Sequence, residues 1–506
     1  MLVLVSLSAP LAVAGEPVEV STDQNWCIVA NEAEPGTVVE LLPGDHRDSC
    51  HLRVAGSEDA PVIIRSSDAD DPARLSYSGT GANTVEIRAE ARHLVIENLI
   101  FPGTAGPHAV RFHGAEEITL RGNHFERTGG VTLSANFSGE HARGLRILDN
   151  TIFDVETTAI YFGCHSGGDD CTATDIEIVG NTIYGVESPG VGYGIQIKVD
   201  SNAEVRDNAI FDTKGPGIMV YGAHGDGATP SIIDGNLVMG SRTSGAILVG
   251  GGPAVVTNNI VSGGHTYGIH AYQHNAGAPL KGVVIAHNTL FANGGDAIHA
   301  PGWSDEAGNT LVNNAIAPGE HQAIGGDPQG LVENNIVCDD PQACFFAIEQ
   351  SPLSATPVAE GLLDEAAPAY EAQWYPELDF MGAPRSDLNF AGALNTADEA
   401  GEPWLVFGQN RPPRDDSLPE DPNDQQPIED PAEEEPENEE PENEDDPDDE
   451  EDEPTHEEAD QSDVSNGCSC STAGTTPPAL LLSLLLLVYP LFRRMTKGLQ
   501  PATKLR

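Results

Sequence analysis

Short runs of alternating apolar and polar residues fill the middle of the chain, among them "AIYFG", "GIQIK", "GIMVY", "AILVG", "GIHAY" and "AIHAP". A period of two predicts strands with one buried face, and the glycines that interrupt the runs leave none long enough for an amphipathic helix. About ten residues ahead of each run stands an asparagine followed by any residue and an apolar one, as in "DNTIF", "GNTIY" and "GNLVM". The full series is Asn98, Asn123, Asn150, Asn181, Asn208, Asn236, Asn259, Asn288, Asn314 and Asn335, spaced 21 to 31 residues apart. A period in the twenties predicts a solenoid whose coils bury their faces against their neighbours.

The residues between the markers select the solenoid. A leucine-rich repeat needs a fixed leucine framework and often a helix in each unit, whereas these units hold short Val/Ile/Phe strands. The expected fold class is all-β: a single-stranded right-handed parallel β-helix of about ten or more coils. Asparagine at a fixed turn position has a structural use there, because stacked amides bond to one another and to the turn backbone, and asparagine tolerates the left-handed conformation.

Alternation sends Ile160, Ile195, Ile218, Ile247, Ile269 and Ile298 inward as one aliphatic stack. Two outward columns follow. One reads Tyr161, Gln196, Met219, Leu248, His270 and His299, and the other Gly163, Lys198, Tyr221, Gly250, Tyr272 and Pro301. His224, His265, His274 and Trp303 fall in the adjoining loops. Coils lie about 4.8 Å apart, so a sugar chain can lie across neighbours in a column. Aromatic rings stack on sugar faces, and imidazole and phenol groups move protons. The expected ligand contacts are therefore Tyr161, Gln196, Lys198, Tyr221, Tyr272, His274 and Trp303. The catalytic candidates are Lys198, Tyr221, His270 and His299. In a β-elimination, Tyr221 or His270 would take the C5 proton and Lys198 would face the uronate carboxylate. Within "GYGIQIKVD", ligand contact ranks above catalysis for Lys198. A glycoside hydrolase instead needs two carboxylates about 5 to 9.5 Å apart, and neither column contains an acid. Asp154 and Asp212, in "IFDV" and "IFDT", read as turn residues.

The ten-coil pattern resembles the pectin-lyase-like superfamily of parallel β-helix proteins over roughly residues 25 to 395. "GTVVELLPGDH", "APVIIRSSD" and "HLVIENLIF" are similar to the opening coils of its chondroitinase-B-like and alginate-lyase-like branch. "LDFMGAPRSDLNFAGAL" resembles the D-x-x-G-x-x-R…GA segment that often closes such domains. The resemblance implies a catalytic lysine preceded by calcium-binding acids and followed one coil later by an arginine. Lys198 matches the lysine in position, but Val191 and Tyr193 stand in place of the acids, and the next coil offers Met219, Val220, Tyr221 and Gly222 without an arginine. The branch's lyase site therefore does not carry over. A fold shared by many functions assigns no reaction.

Charge changes the expected partners. Residues 15–410 hold 53 acidic and 17 basic residues, a net charge of −36, which is opposite to the footprint of a nucleic-acid binder. It also disfavours a polyanionic ligand unless a cation or a local basic patch intervenes. No cofactor is required by the sequence and no metal ligand set is assigned. Asp169, Asp170 and Asp175 offer hard oxygen ligands of the kind calcium takes, though a solvated loop is the simpler reading. Six cysteines form three local couples, Cys27 with Cys50, Cys164 with Cys171, and Cys338 with Cys344, which predict disulfides in an oxidising compartment.

The two ends have other compositions. "MLVLVSLSAPLAVAG" reads as a signal peptide over residues 1–14, ahead of a β-helix domain at 15–410. Residues 411–466 predict a disordered acidic linker, since the stretch 415–463 within them contains 27 acids and no Lys or Arg. Over 467–497, Cys468 and Cys470 precede the apolar Ala479–Phe492 and the pair Arg493–Arg494, and 498–506 form a basic tail. This tripartite order resembles the C-terminal sorting signals of the MYXO-CTERM type, which implies a short membrane helix and a sorting protease acting near Cys468 and Cys470. A plain membrane anchor is the other reading. The sequence thus predicts an exported, membrane-tethered or surface-displayed β-helix protein that binds a polysaccharide, with a divergent polysaccharide lyase as its catalytic version. The alternative is a non-catalytic structural or adhesion protein of the cell envelope.

Overall fold

The computed structural model describes residues 16–345, apart from 78, 80–81, 104–105, 165–169, 189–191 and 341–343, together with 376–385 and 391–394. The signal peptide, the acidic linker, Cys468, Cys470 and the apolar segment Ala479–Phe492 lie outside the described residues. Among those described, no helix is long and apolar enough to cross a membrane.

Each coil supplies one strand to each of three parallel sheets of a right-handed β-helix. Ala203–Arg206, Ala209–Thr213 and Ile218–Val220 make up one such coil. Sheet A has 15 strands, sheet B 12 and sheet C 11, and every strand of a sheet pairs with those of neighbouring coils. Side chains of successive coils therefore stack in register. Ile160, Ile195, Ile218, Ile247, Ile269 and Ile298 do form one continuous inward column on sheet C, and all are fully buried.

The asparagine ladder stands at the corner between sheets A and B. Asn208 Nδ2 donates to Ile178 O at 2.8 Å and to Asn236 Oδ1 at 2.9 Å, while Asn208 Oδ1 accepts from the Asn181 backbone N–H and side-chain amide at 2.9 Å each. The same pattern links Asn123 through to Asn335. Asn98 is an exception to the expected series. It sits one position early with φ 56°, and Leu99 takes the ladder position, its N–H donating to Asn123 Oδ1 at 3.1 Å. The left-handed residue of this corner is the one before the ladder, as at Asp149, Asp207, Asn258, His287 and Asn313. The corner thus needs two residue types in sequence, one tolerant of positive φ and one with an amide to share.

Both ends of the stack are finished by other elements. The helix Trp26–Asn31 packs against Val38–Leu41 and Cys50–Leu52 with Trp26 buried, and its N-cap Asn25 accepts from Ile28 N–H. The closing segment lies on the last coils of sheet B, where Phe380, Ala391, Ala393 and Leu394 bury against Leu237, Ile260 and Phe291. Arg385 holds it by donating to Asn258 Oδ1, Gly392 O and Ala393 O. Disulfides join Cys27–Cys50, Cys164–Cys171 and Cys338–Cys344, with Cα–Cα distances of 5.3, 5.4 and 6.3 Å. Three local disulfides indicate an extracytoplasmic protein.

Candidate functional site

Register on sheet C gives the two outward columns expected from alternation and extends them toward the N-terminus. His51, Glu86, Arg111 and Ser134 precede Tyr161 in the first column. Arg53, Arg88, His113 and Asn136 occupy the coils before Gly163 in the second. The face divides into three parts that differ in burial and charge.

The middle part is closed. The loop after Tyr272 folds over it, ordered by Gln273, whose side-chain amide donates to His274 O, Gly277 O and Ala278 O and accepts from Leu280 N–H. Ala278 N–H in turn donates to Tyr221 O at 2.9 Å. Val199, Met219, Tyr221, Leu248 and Ala278 form a small apolar cluster beneath the loop. Lys198 is 0 % exposed, with its Nζ 3.8 Å from the Tyr221 ring centroid and 5.6 Å from that of Tyr161. Gln196 Nε2 donates to the Tyr221 hydroxyl at 3.0 Å.

This overturns the expected exposure of Lys198, Gln196 and Tyr221. They do point away from the central core, but a second layer of protein buries them. Burial pushes the Lys198 amine down to about 8 and raises the Tyr221 phenol well above its ordinary range, with the neighbouring Tyr193 adding to the rise. Tyr221 is thus held as a neutral phenol, unsuited to act as a base. The Lys198–Tyr221 elimination pair is an aromatic–cation packing unit instead.

The C-terminal part is open. His270 stacks on Tyr272 with ring centroids 4.2 Å apart, and Tyr267 stacks on His299 at 4.4 Å and 6°. All four are partly exposed. His299 Nδ1 lies 2.8 Å from Asp296 Oδ2, which orients the imidazole. Gly325, on the next coil, makes room for this pair: a Cβ there would fall 1.9 Å from Asp296 Oδ2 and 2.9 Å from His299 Nδ1. Burial, and then the nearby His299, hold His270 down to about 4, so it is neutral at physiological pH and offers one donor and one acceptor. His274 is half-buried beside Tyr221 and Tyr272, at 4.9 and 5.9 Å between ring centroids.

The N-terminal part is charged, and sequence reasoning misses it. Glu86 accepts from Arg88 at 2.6 Å and Asn83 at 3.0 Å and lies near His51 and His113; His113 also meets Glu140 at 3.0 Å. Burial alone would raise the Glu86 carboxyl, but His51, His113, Asn83 and Arg88 together hold it below its ordinary value. His108 is driven down to about 4 by burial and by Arg111. The signal that could have found this patch is the strand alignment carried upstream through "TVEIRAE" and "HAVRFHG", which adds an acid, Glu86, to the first column.

Other expected residues fall elsewhere. Trp303 is 3 % exposed and packs in the central core, so it is not a sugar platform. Asp154 and Asp212 lie within strands of sheet B at φ 55°, a backbone position that other coils give to glycine (Gly185, Gly240), and Arg242 pairs with Asp212 at 3.1 Å. Asp170 faces His141 at 3.7 Å and Asp175 binds Arg143 at 2.8 Å. Asp169 and Val191 lie outside the described residues. His224 pairs with Asp200 at 3.0 Å, and His265 is exposed.

Two family models match parts of the chain: one described as right handed beta helix region over residues 73–226, the other as periplasmic copper-binding protein (NosD) over 162–330. The described residues do not fit a copper site. Among those described, no three His, Cys, Asp or Glu side chains are grouped to hold a metal ion, and the described cysteines are all in disulfides. No curated protein matches the chain. Solved structures similar to it include an alginate lyase from Paenibacillus sp. str. FPU-7, at 17% identity and TM-score 0.38 over 64% of this chain and 95% of that one. Pectate lyase Pel9A matches at 11% identity and TM-score 0.45 over 75% and 96%. The PL6 family alginate lyase AlyGC matches at 15% identity and TM-score 0.42 over 72% and 59%. The chain is a right-handed β-helix protein with pectate- and alginate-lyase-like structural neighbours.

Proposed function

We propose that this protein binds an extracellular or cell-surface polysaccharide on the outer face of sheet C, outside the cytoplasm, with the acidic segment and C-terminal apolar stretch serving as its tether. The observation that carries the reading is the open group of His270, Tyr272, Tyr267 and His299, with Asp296 fixing the His299 ring. Rings that present apolar faces beside fixed donors and acceptors match the alternating C–H and hydroxyl surface of a sugar. Sheet B also carries an aromatic stack, Phe153, Tyr184 and Phe211, at 5.1 and 5.0 Å. Two of those three rings have no hydrogen-bonding group, so that face is the poorer match.

Binding is favoured over turnover. The phenol of Tyr221 is raised, Lys198 is sealed and His270 is a weak base, so the residues expected to carry out an elimination bring no accessible base beside a cation at one sugar ring. Full-length protein passed over an immobilised glycan panel is expected to be retained by at least one polysaccharide, with no rise in absorbance at 235 nm from unsaturated uronates. Tyr272→Ala is expected to weaken that retention about tenfold, and Lys198→Met to leave it unchanged. Retention by no glycan would favour the rigid structural rod, and a 235 nm signal would contradict the binding-only reading.

A further inference from the structure

The charged N-terminal part of sheet C holds a cation, Arg111, that makes no ion pair within 4.0 Å among the described residues. Glu86 is occupied by Arg88, Asn83 and the histidines, and Glu140 by His113. Arg111, on the strand His108–Phe112, forms no ion pair among the described residues. Its Nη2 donates to Asn136 Oδ1 at 3.4 Å, and its Nε is buried with no acceptor among them. Above the guanidinium, 5.0 Å from its central carbon, is the ring centroid of Phe137, which is 47 % exposed.

These observations point to an anion. Burial lowers the Arg111 pKa, with Glu140 and Glu86 acting in the opposite sense. A half-buried guanidinium that Glu140 and Glu86 influence only from beyond ion-pair distance lacks the bidentate partner its planar fork fits best, and an incoming carboxylate accepts two parallel N–H bonds from it. The exposed Phe137 supplies the apolar platform that a pyranose ring needs beside that carboxylate.

We propose that Arg111 and Phe137 form a subsite for an acidic sugar, the guanidinium donating to the sugar carboxylate while the ring packs on the sugar face. The proposal rests on the reading of sheet C as a glycan-binding face and narrows its ligand to a carboxylated polysaccharide. Arg111 is two coils from Tyr161, about 10 Å along the axis. The strongly negative body repels polyanions at long range, which makes a local, half-buried cation the feature that admits one.

The test uses the full chain and equilibrium binding to polygalacturonate, alginate and hyaluronan, each also in a neutral form made by reducing its carboxyl groups. Wild type is expected to bind at least one acidic polymer roughly tenfold or more tightly than its reduced form. Arg111→Gln is expected to abolish that preference at an unchanged melting temperature, Arg111→Lys to keep part of it, and Phe137→Ala to weaken both forms. Tyr272→Ala is expected to weaken both forms alike. Equal binding of acidic and reduced polymers, or an undiminished preference in Arg111→Gln, overturns the subsite and leaves the glycan-face reading standing. Binding to none of the six polymers overturns the subsite, and no retention on the glycan panel as well overturns both.

Discussion

Asn208→Ala is expected to lower the stability of the β-helix by about 3 kcal/mol, a large loss for a single residue outside the aliphatic core. The side chain is buried and makes four hydrogen bonds across three coils. Truncation leaves the Asn181 amides, the Ile178 carbonyl and Asn236 Oδ1 without this partner in a space closed to water, and each unsatisfied group costs about 1 to 3 kcal/mol before relaxation. Asn98→Ala is the control. It removes no ladder bond and only places alanine at φ 56°, at a cost of about 1 kcal/mol. Denaturant unfolding of the two variants checks the difference. Equal losses would mean that the ladder's bonds add nothing beyond a turn preference.

Lys198→Met is expected to remove the pH dependence of stability between about pH 8 and 10.5, because it replaces a buried, titrating amine with an apolar chain of similar length. The sign follows from the lowered folded-state pKa of about 8 against an ordinary value of 10.5. Above pH 10.5 both states hold a neutral amine and there is no penalty. As pH falls through 10.5 the unfolded chain takes up the proton first, which favours unfolding, and below about 8 the penalty is complete. Wild type should therefore gain stability from pH 8 to 10.5, and Lys198→Met should lack that part of the slope. Urea melts across this range decide it. An identical slope in both proteins would mean that Lys198 is as well solvated when folded as when unfolded.

The solenoid is legible in the sequence because its signals are local and repeated. Alternation, the asparagine marker and the isoleucine column each recur in successive coils, so an error in one coil is corrected by the next. The site is less legible for two physical reasons. Alternation tells inward from outward, but it cannot tell outward from exposed: Lys198, Gln196 and Tyr221 point off the central core and are covered by the loop that Gln273 orders. That loop's path depends on side-chain to backbone bonds with no periodic signature. The second reason is length. A clear Gly/Ala-Ile start announces the columns only in the later coils, which leaves out Glu86, Arg111 and His113 although they occupy the same columns. Asp296 escapes because it precedes its strand, and its role depends on the bare Gly325 of the next coil. Trp303 shows the converse, an aromatic loop residue that the core absorbs.

Hydroxyl-radical footprinting of the full chain, with and without the glycan that retains it, tests where the ligand lies. Tyr267, His270, Tyr272 and His299 are partly exposed and oxidisable, and so are Phe153, Tyr184 and Phe211 on sheet B. Saturating glycan is expected to protect the first group and leave the second unchanged. Protection of the sheet B rings with none at Tyr267, His270, Tyr272 or His299 would contradict a binding face on sheet C.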